Sequence, residues 1–232
     1  MHCYKALHPF TALSFDLDDT LYHNGPVIEH AELAMQRSLL ELAPQLGQID
    51  ADFWWQQRKS LAAAQPEVRH DVSQWRLLGL RQGLRQLGLP LSDVDEVAAA
   101  AFNAFYLERS NLEVPASSHQ LLAALADKYP LVSITNGNAD VHRLGIAHYF
   151  RHHLRAGPDG RMKPYPDLFE NACQLLNIPP SQLLHIGDNA KADVQGALAA
   201  GCQAIWLQLP QQQTRLLPQI RISALDQLEL LL

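Results

Sequence analysis

No stretch of this chain approaches the ~20 consecutive apolar residues that a membrane-spanning helix needs. Residues 1–10 mix His2, Lys5, His8 and Pro9 with apolar neighbours and lack the apolar core of a secretion signal. Basic charge is also scarce. Eighteen Lys and Arg against 24 Asp and Glu leave a formal charge of −6, which offers no footprint for nucleic acid or for an anionic membrane. Cysteine is limited to Cys3, Cys173 and Cys202, with no C-x-x-C pair. That odd, scattered set argues for reduced thiols and a cytoplasmic location, with Cys173 and Cys202 as small buried hydrophobes. Neither G-x-G-x-x-G nor a Walker A pattern occurs, so no nucleotide cofactor is implied. Internal repeats are missing too. What survives these exclusions is an enzyme of small molecules.

There is ample material for a core, with 47% of the 232 residues hydrophobic. The length suits one core domain with an inserted subdomain better than two independent domains. Short apolar runs at 12–15, 131–134, 183–186 and 204–207 end at polar residues: Asp16, Thr135, and Gly187 with Asp188. Runs of that length between turn formers predict buried parallel strands. Helical patterns alternate with them, over 117–125 with Ser117 as N-cap, over 166–176 with proline in the first turn, and over 191–200 with Gly201 just past the end. The expected core is a doubly wound, Rossmann-like α/β parallel sheet. A biased patch, Gln211 to Gln213, reads as a solvated loop before a final edge strand and short helix.

From about residue 25 to 109 the alternation stops. Ile28, Ala31, Met35, Leu39, Leu42 and Leu46 form one helical stripe. Leu77, Leu80, Leu84 and Leu87 form another, and Val94, Val97, Ala101 and Phe105 a third. A further helix spans 52–64 and stops near Pro66. The expected division is therefore a core of 1–22 and 110–232 and a helical cap of 23–109. No stripe is left over for a partner, so a monomer is expected.

The most informative segment is Phe15-Asp16-Leu17-Asp18-Asp19-Thr20-Leu21. Two carboxylates two residues apart, directly after a buried strand, are costly unless a cation or countercharges hold them. The carboxyl end of such a strand is where open α/β sheets bind ligands. Asp16 is placed to act as a nucleophile and Asp18 as general acid and base. An Asp-rich turn with Asp19 or Thr20 capping a helix is the plainer alternative. Thr135, followed by Asn136 and Gly137, can offer a hydroxyl and main-chain N–H groups to a phosphoryl oxygen, or it can be an ordinary strand-to-helix turn. Lys163 before Pro164 taken alone is more often a solvated charge. Asp188 and Asp193 could equally be a helix cap and an exposed helix position. Paired His152 and His153 lack a third ligand at a useful spacing and read as loop or strand-edge residues, and Trp54 and Trp55 as cap packing.

Taken together and in order, these segments resemble the four motifs of the haloacid dehalogenase superfamily. The sequence FDLDDTL resembles its hydrophobic-D-x-D-x-[TV] motif, LVSITNG its second, GRMKPYPDLF its third and GDNAKAD its fourth. The resemblance implies a doubly wound core with an inserted helical cap of the C1 type. It also implies an aspartyl-phosphate mechanism with Asp16 as nucleophile and Asp18 as acid and base. Thr135, Asn136 and Lys163 would bind phosphate. Mg²⁺ would be held by Asp16, the Asp18 carbonyl and Asp188, with Asp193 supporting the metal waters or Lys163. Asn189 departs from the Asp or Ser of many relatives, so the outer shell of the metal can differ. Asp18 separates the chain from true dehalogenases, which carry another residue there and need no metal.

Beyond the four motifs, the FDLDDTLYHNGPVI, HDVSQWR, ITNGNA and LRAGPDGRMKP segments are similar to bacterial flavin-related phosphatases. Their substrates are flavin mononucleotide and the phosphorylated ribitylamino-uracil intermediate of riboflavin synthesis. The alternatives are a phosphatase of another small metabolite, such as a sugar phosphate or phosphoglycolate, and an inactive phosphate-binding regulator. A cap contacting the substrate would use His70, Asp71, Trp75 and Arg76, with Tyr22, His23 and Asn24 as secondary contacts. Trp75 packing the cap core and Arg76 reaching solvent is the competing assignment.

Overall fold

The computed structural model describes residues 1–210, 212 and 217–232. Among these, the strands are β1 (His2–Cys3), β2 (Ala12–Phe15), β3 (Leu131–Thr135), β4 (His152–Arg155), β5 (Leu183–Gly187), β6 (Gln203–Leu207) and β7 (Ile220–Ile222). They form one sheet in the order β1-β7-β6-β5-β2-β3-β4, parallel except for the β1–β7 pair. Every residue of β2, β3, β5 and β6 is buried. Burial on both faces is why these strands read as continuous apolar runs without alternation. The order reverses beside β2, so the carboxyl ends of β2, β3 and β5 meet at the switch point where such sheets bind ligands.

The helices of this unit are α5 (Ala116–Ala126), α6 (Asp167–Leu176) and α7 (Gly196–Ala199). The N-cap expected at Ser117 does not form. Pro115 is extended, with φ −54° and ψ 139°, and its carbonyl takes the N–H groups of Ser118 and His119, so Ser117 falls inside the first turn. The helix expected over 191–200 is wound in two ways: residues Ala190–Gln195 make a wide π-helical turn before α7. Its cap is Asn189, which accepts from Lys191 and Ala192, and not Asp188. Gly201, at φ +80°, ends the helix as expected. Strands β1 and β4 were not legible, being short and at the sheet edges. His152 and His153 lie on edge strand β4. The final strand expected from the sequence is β7, flanked by β1 rather than at the edge, and a 3-10 helix follows at Leu225–Leu231. The Gln211–Gln213 loop lies outside the described residues, apart from Gln212.

Residues Asn24–Leu112, with Asn138–Asp140, form a second unit. Its helices are α1 (Gly25–Leu42), α2 (Ala51–Ala64), α3 (Val72–Gln86) and α4 (Leu91–Glu108). The stripes read from the sequence supply its core: Ala31, Met35 and Leu39, then Leu80 and Leu84, then Val94, Val97, Ala101 and Phe105, around Trp54. Leu46 does not extend α1. Pro44 cannot donate a helical N–H, so α1 stops at Leu42 and Leu46 sits in a 3-10 turn. A Cβ at Gly83 would sit 2.5 Å from the Trp54 ring, so glycine lets α3 approach α2 there. Residues 138–140 fell within the core by sequence, yet Asn138 Nδ2 donates to Ser73 Oγ at 3.1 Å and Asp140 N to Ser110 Oγ at 2.8 Å. Among the described residues, no helix is long and apolar enough to cross a membrane.

Asp71 starts α3, its carboxylate accepting from Ser73 N and Gln74 N at 3.0 Å each. Asp71→Ala is expected to lower stability by about 1 kcal/mol in urea unfolding, with Asp71→Ser close to wild type. An alanine variant as stable as wild type would show that the cap contributes nothing.

Candidate active site

The β2 strand delivers Asp16 at its carboxyl end, where the Asp16 N–H donates to Ile186 O at 2.9 Å. The chain then turns sharply through Asp19, whose φ of +56° is one of the left-handed conformations that aspartate tolerates. Asp18, half-buried, accepts from Tyr22 Oη at 2.7 Å. Tyr22, a secondary substrate contact by sequence, thus has an observed partner in Asp18. Thr20 was not among the expected site residues. Its Oγ1 accepts from Asp188 N at 3.1 Å, and Trp206 Nε1 donates to Asp188 O at 2.7 Å, so the two pin the Asp188 loop. Thr20 was visible as the last position of the first motif. Trp206, inside an apolar run, carried no signal.

Lys163 is almost fully buried at 3% exposure, not a solvated charge. Its Nζ donates to Asp16 Oδ1 at 2.8 Å, Asp193 Oδ1 at 2.6 Å and Ile134 O at 2.6 Å, which uses all three ammonium hydrogens. Asn136 spends its side chain on the lysine backbone: Nδ2 donates to Lys163 O at 2.8 Å and Oδ1 accepts from Lys163 N at 2.7 Å. Thr135 Oγ1 accepts from Gly137 N at 2.9 Å, which leaves its hydroxyl hydrogen to donate. Asp193 takes Lys163 and His185 Nε2 (3.2 Å) on Oδ1 and Asn189 N (2.8 Å) on Oδ2. Gly187 makes room for this carboxylate, because a Cβ at 187 would land on it. Asp16, Asp18, Asp19, Thr135, Asn136, Lys163, Asp188 and Asp193 all line one cleft of about 160 Å³.

The electrostatics are strained in a telling direction. Burial, with Asp193 and Asp18 nearby, raises the Asp16 pKa well above its ordinary value despite Lys163. Burial, with Asp193 and Asp19, pushes Asp188 up to about 6. Burial also opposes charge on Asp193 and Lys163. There, however, the contacts win, holding Asp193 below the usual carboxylate range and Lys163 above the usual amine range. Asp16, Asp188 and Asp193 can each offer an oxygen within 4.8 Å of the others. One lysine does not neutralise this many carboxylates. The donor set fits a hard divalent cation, which would bring Asp16 and Asp188 back to their charged forms.

The candidates in the helical unit already have partners there. Asp71 is a helix cap, and His70 lies 3.5 Å from Glu67. Trp75, half-buried, donates from Nε1 to Arg58 O at 2.7 Å, and its ring lies 5.8 Å from that of Trp55. Arg76 does not reach solvent: it is 8% exposed, donates to Glu32 Oε1 at 2.7 Å and stacks 3.6 Å from the Phe105 centroid. His23 is exposed, and Asn24 precedes α1 without capping it through its side chain. His153 pairs with Ser133 Oγ at 3.2 Å.

A haloacid dehalogenase-like hydrolase family matches residues 10–201, which holds all four motifs. The chain belongs to that family. It is 39% identical over 98% of both chains to a 5-amino-6-(5-phospho-D-ribitylamino)uracil phosphatase of Escherichia coli. It is also 26% identical to the phosphoglycolate phosphatase of that organism, over 84% of this chain and 80% of the other. Among solved structures, a 2-haloacid dehalogenase from Pseudomonas syringae superposes with a TM-score of 0.90 at 34% identity, covering 95% of this chain and 96% of that one.

Asp188 sets a pH dependence in the metal-free protein. Its folded pKa of about 6 lies above an unfolded value near 3.9. Between those values the folded state holds the extra proton, so stability falls as pH rises and the loss is complete above about 6. Under chelation, the melting temperature of wild type relative to Asp188→Asn is expected to drop between pH 4 and 7, and added divalent cation at pH 7 should reverse the drop. A difference that does not move with pH would remove Asp188 as a carboxylate under strain.

Proposed function

We propose that the protein is a Mg²⁺-dependent phosphatase of small phosphate monoesters, with the phosphorylated ribitylamino-uracil of riboflavin synthesis or flavin mononucleotide as substrate. The observation that carries this reading is the pair of carboxylates at the end of β2. One is bonded to a buried ammonium and the other stands half-exposed at the cleft, held by Tyr22. Such a pair suits a nucleophile and a proton carrier.

Asp16 attacks phosphorus, and the bond from phosphorus to the leaving oxygen breaks. Asp18 hands its proton to that oxygen, which leaves as the alcohol. Asp18, now charged, takes a proton from the water that attacks the aspartyl phosphate. The bond from phosphorus to Asp16 breaks, inorganic phosphate departs, and Asp16 is restored as a carboxylate and Asp18 as an acid. Lys163 balances charge on Asp16 and on the transferring group, and Thr135 donates its hydroxyl to a phosphoryl oxygen. Mg²⁺, when bound by Asp16, the Asp18 carbonyl and Asp188, supplies further charge neutralisation at the phosphoryl oxygens. The near full-length likeness to the ribitylamino-uracil phosphatase supports the substrate, and the likeness to the phosphoglycolate phosphatase supports the metabolite alternative.

The dehalogenase neighbour favours a second reading, carbon–halogen cleavage by Asp16. Asp18 weighs against it, because a proton-carrying carboxylate serves an alkoxide leaving group and a halide needs none. One panel separates the readings: ribitylamino-uracil phosphate, flavin mononucleotide, phosphoglycolate, p-nitrophenyl phosphate and 2-chloropropionate, each with Mg²⁺ and with chelator. Phosphate release from the first two, abolished by chelator, is expected. Chloride release alone would establish the dehalogenase, and activity confined to phosphoglycolate would replace the substrate. Asp16→Asn should lower phosphate release by several orders of magnitude, and an active variant would remove Asp16 as the nucleophile.

A further inference from the structure

We propose that His185, locked by Ser14 into the tautomer that donates from Nε2, is a positioning residue that fixes Asp193 and through it aims Lys163 at Asp16. This rests on the phosphatase reading for its consequence and on geometry alone for its existence. Ser14 and His185 are paired in register on β2 and β5, and both are fully buried at 0% exposure. Polar side chains inside a parallel sheet are costly there unless hydrogen-bonded, and neither reaches the cleft.

Both ring nitrogens of His185 are engaged. Nδ1 lies 2.9 Å from Ser14 Oγ and Nε2 lies 3.2 Å from Asp193 Oδ1. An ionised carboxylate can only accept, so Nε2 carries the hydrogen. In the neutral ring that donates from Nε2, Nδ1 is bare. Ser14 then donates to Nδ1, and the order of donation runs Ser14 to His185 to Asp193. The Phe169 ring stands edge-on at 5.0 Å and 85°, walling the imidazole. Asp193 Oδ1 is shared between His185 and Lys163, so the orientation of the imidazole sets that of the carboxylate the ammonium leans on. Ser14 also precedes Asp16 by two residues on the same strand face, so nucleophile and brace hang from one stretch of backbone.

The test compares His185→Leu, which removes the donor, with His185→Gln, whose amide nitrogen can reach Asp193. The substrate is p-nitrophenyl phosphate with Mg²⁺. A leucine variant folded like wild type should lose roughly 10- to 100-fold in kcat, with KM within about threefold, the scale of a misplaced catalytic group. The glutamine variant should recover most of the loss, and Ser14→Ala should fall between. Equal losses in the leucine and glutamine variants, or none in leucine, would overturn the brace. Imidazole nitrogen NMR of the wild type reads it without any substrate and whether or not the variants fold. A protonated Nε2 with bare Nδ1 is expected, and the opposite tautomer or an imidazolium at pH 7 would overturn it. A wild type that releases no phosphate, yet shows the expected tautomer, would fail the phosphatase reading and leave the brace standing.

Discussion

Everything in the catalytic unit is arranged around one buried ammonium. Lys163 is almost fully buried, and its three hydrogens are met by Asp16, Asp193 and the Ile134 carbonyl. Leaving such a charge unpaired in the interior costs several kcal/mol, so its partners cannot wander. The demand reaches backward into the sequence. Asn136 clamps the lysine backbone on both sides, the π-helical turn after β5 swings Asp193 inward, and Gly187 yields the space that carboxylate occupies. Four segments remote in the chain are thereby tied to one nitrogen.

This dependence explains what could be read from the sequence and what could not. The four buried strands announced themselves because both sheet faces are covered, and the cap helices because each buries one stripe. Asp16, Asp18, Thr135 and Asp188 stood at or just past strand ends, where an unusual residue type is conspicuous, Lys163 was legible only through its motif, and one cleft gathers them all. His185 and Ser14 escaped notice for the opposite reason. They sit inside apolar runs, where one polar residue is averaged away, and their partners become adjacent only once β2 and β5 pair. Helix ends fared worst: Pro115 acts through backbone geometry that spacing does not encode, and the side chain of Asn189 takes the cap that its neighbour Asp188 could equally have filled.

The polar cluster near the start of α3 has another origin than its composition suggests. His70, Asp71, Trp75 and Arg76 mix an aromatic ring with charges, a combination that suits ligand contact. In the structure Asp71 begins a helix, Trp75 ties α3 to the Arg58 carbonyl, and Arg76 is sandwiched between Glu32 and Phe105. Asp71, Trp75 and the buried Arg76 are thus engaged in the cohesion of the helical unit.

Trp206 is the one indole of the catalytic unit, since Trp54, Trp55 and Trp75 all belong to the helical one. Its Nε1 is bonded to the carbonyl of Asp188, the residue whose charge the cleft strains most to accommodate after Asp16. A chromophore is thus tied to the backbone of the loop that carries Asp188. With the other three indoles replaced by phenylalanine, the emission of Trp206 alone becomes an optical gauge of that loop, readable without turnover.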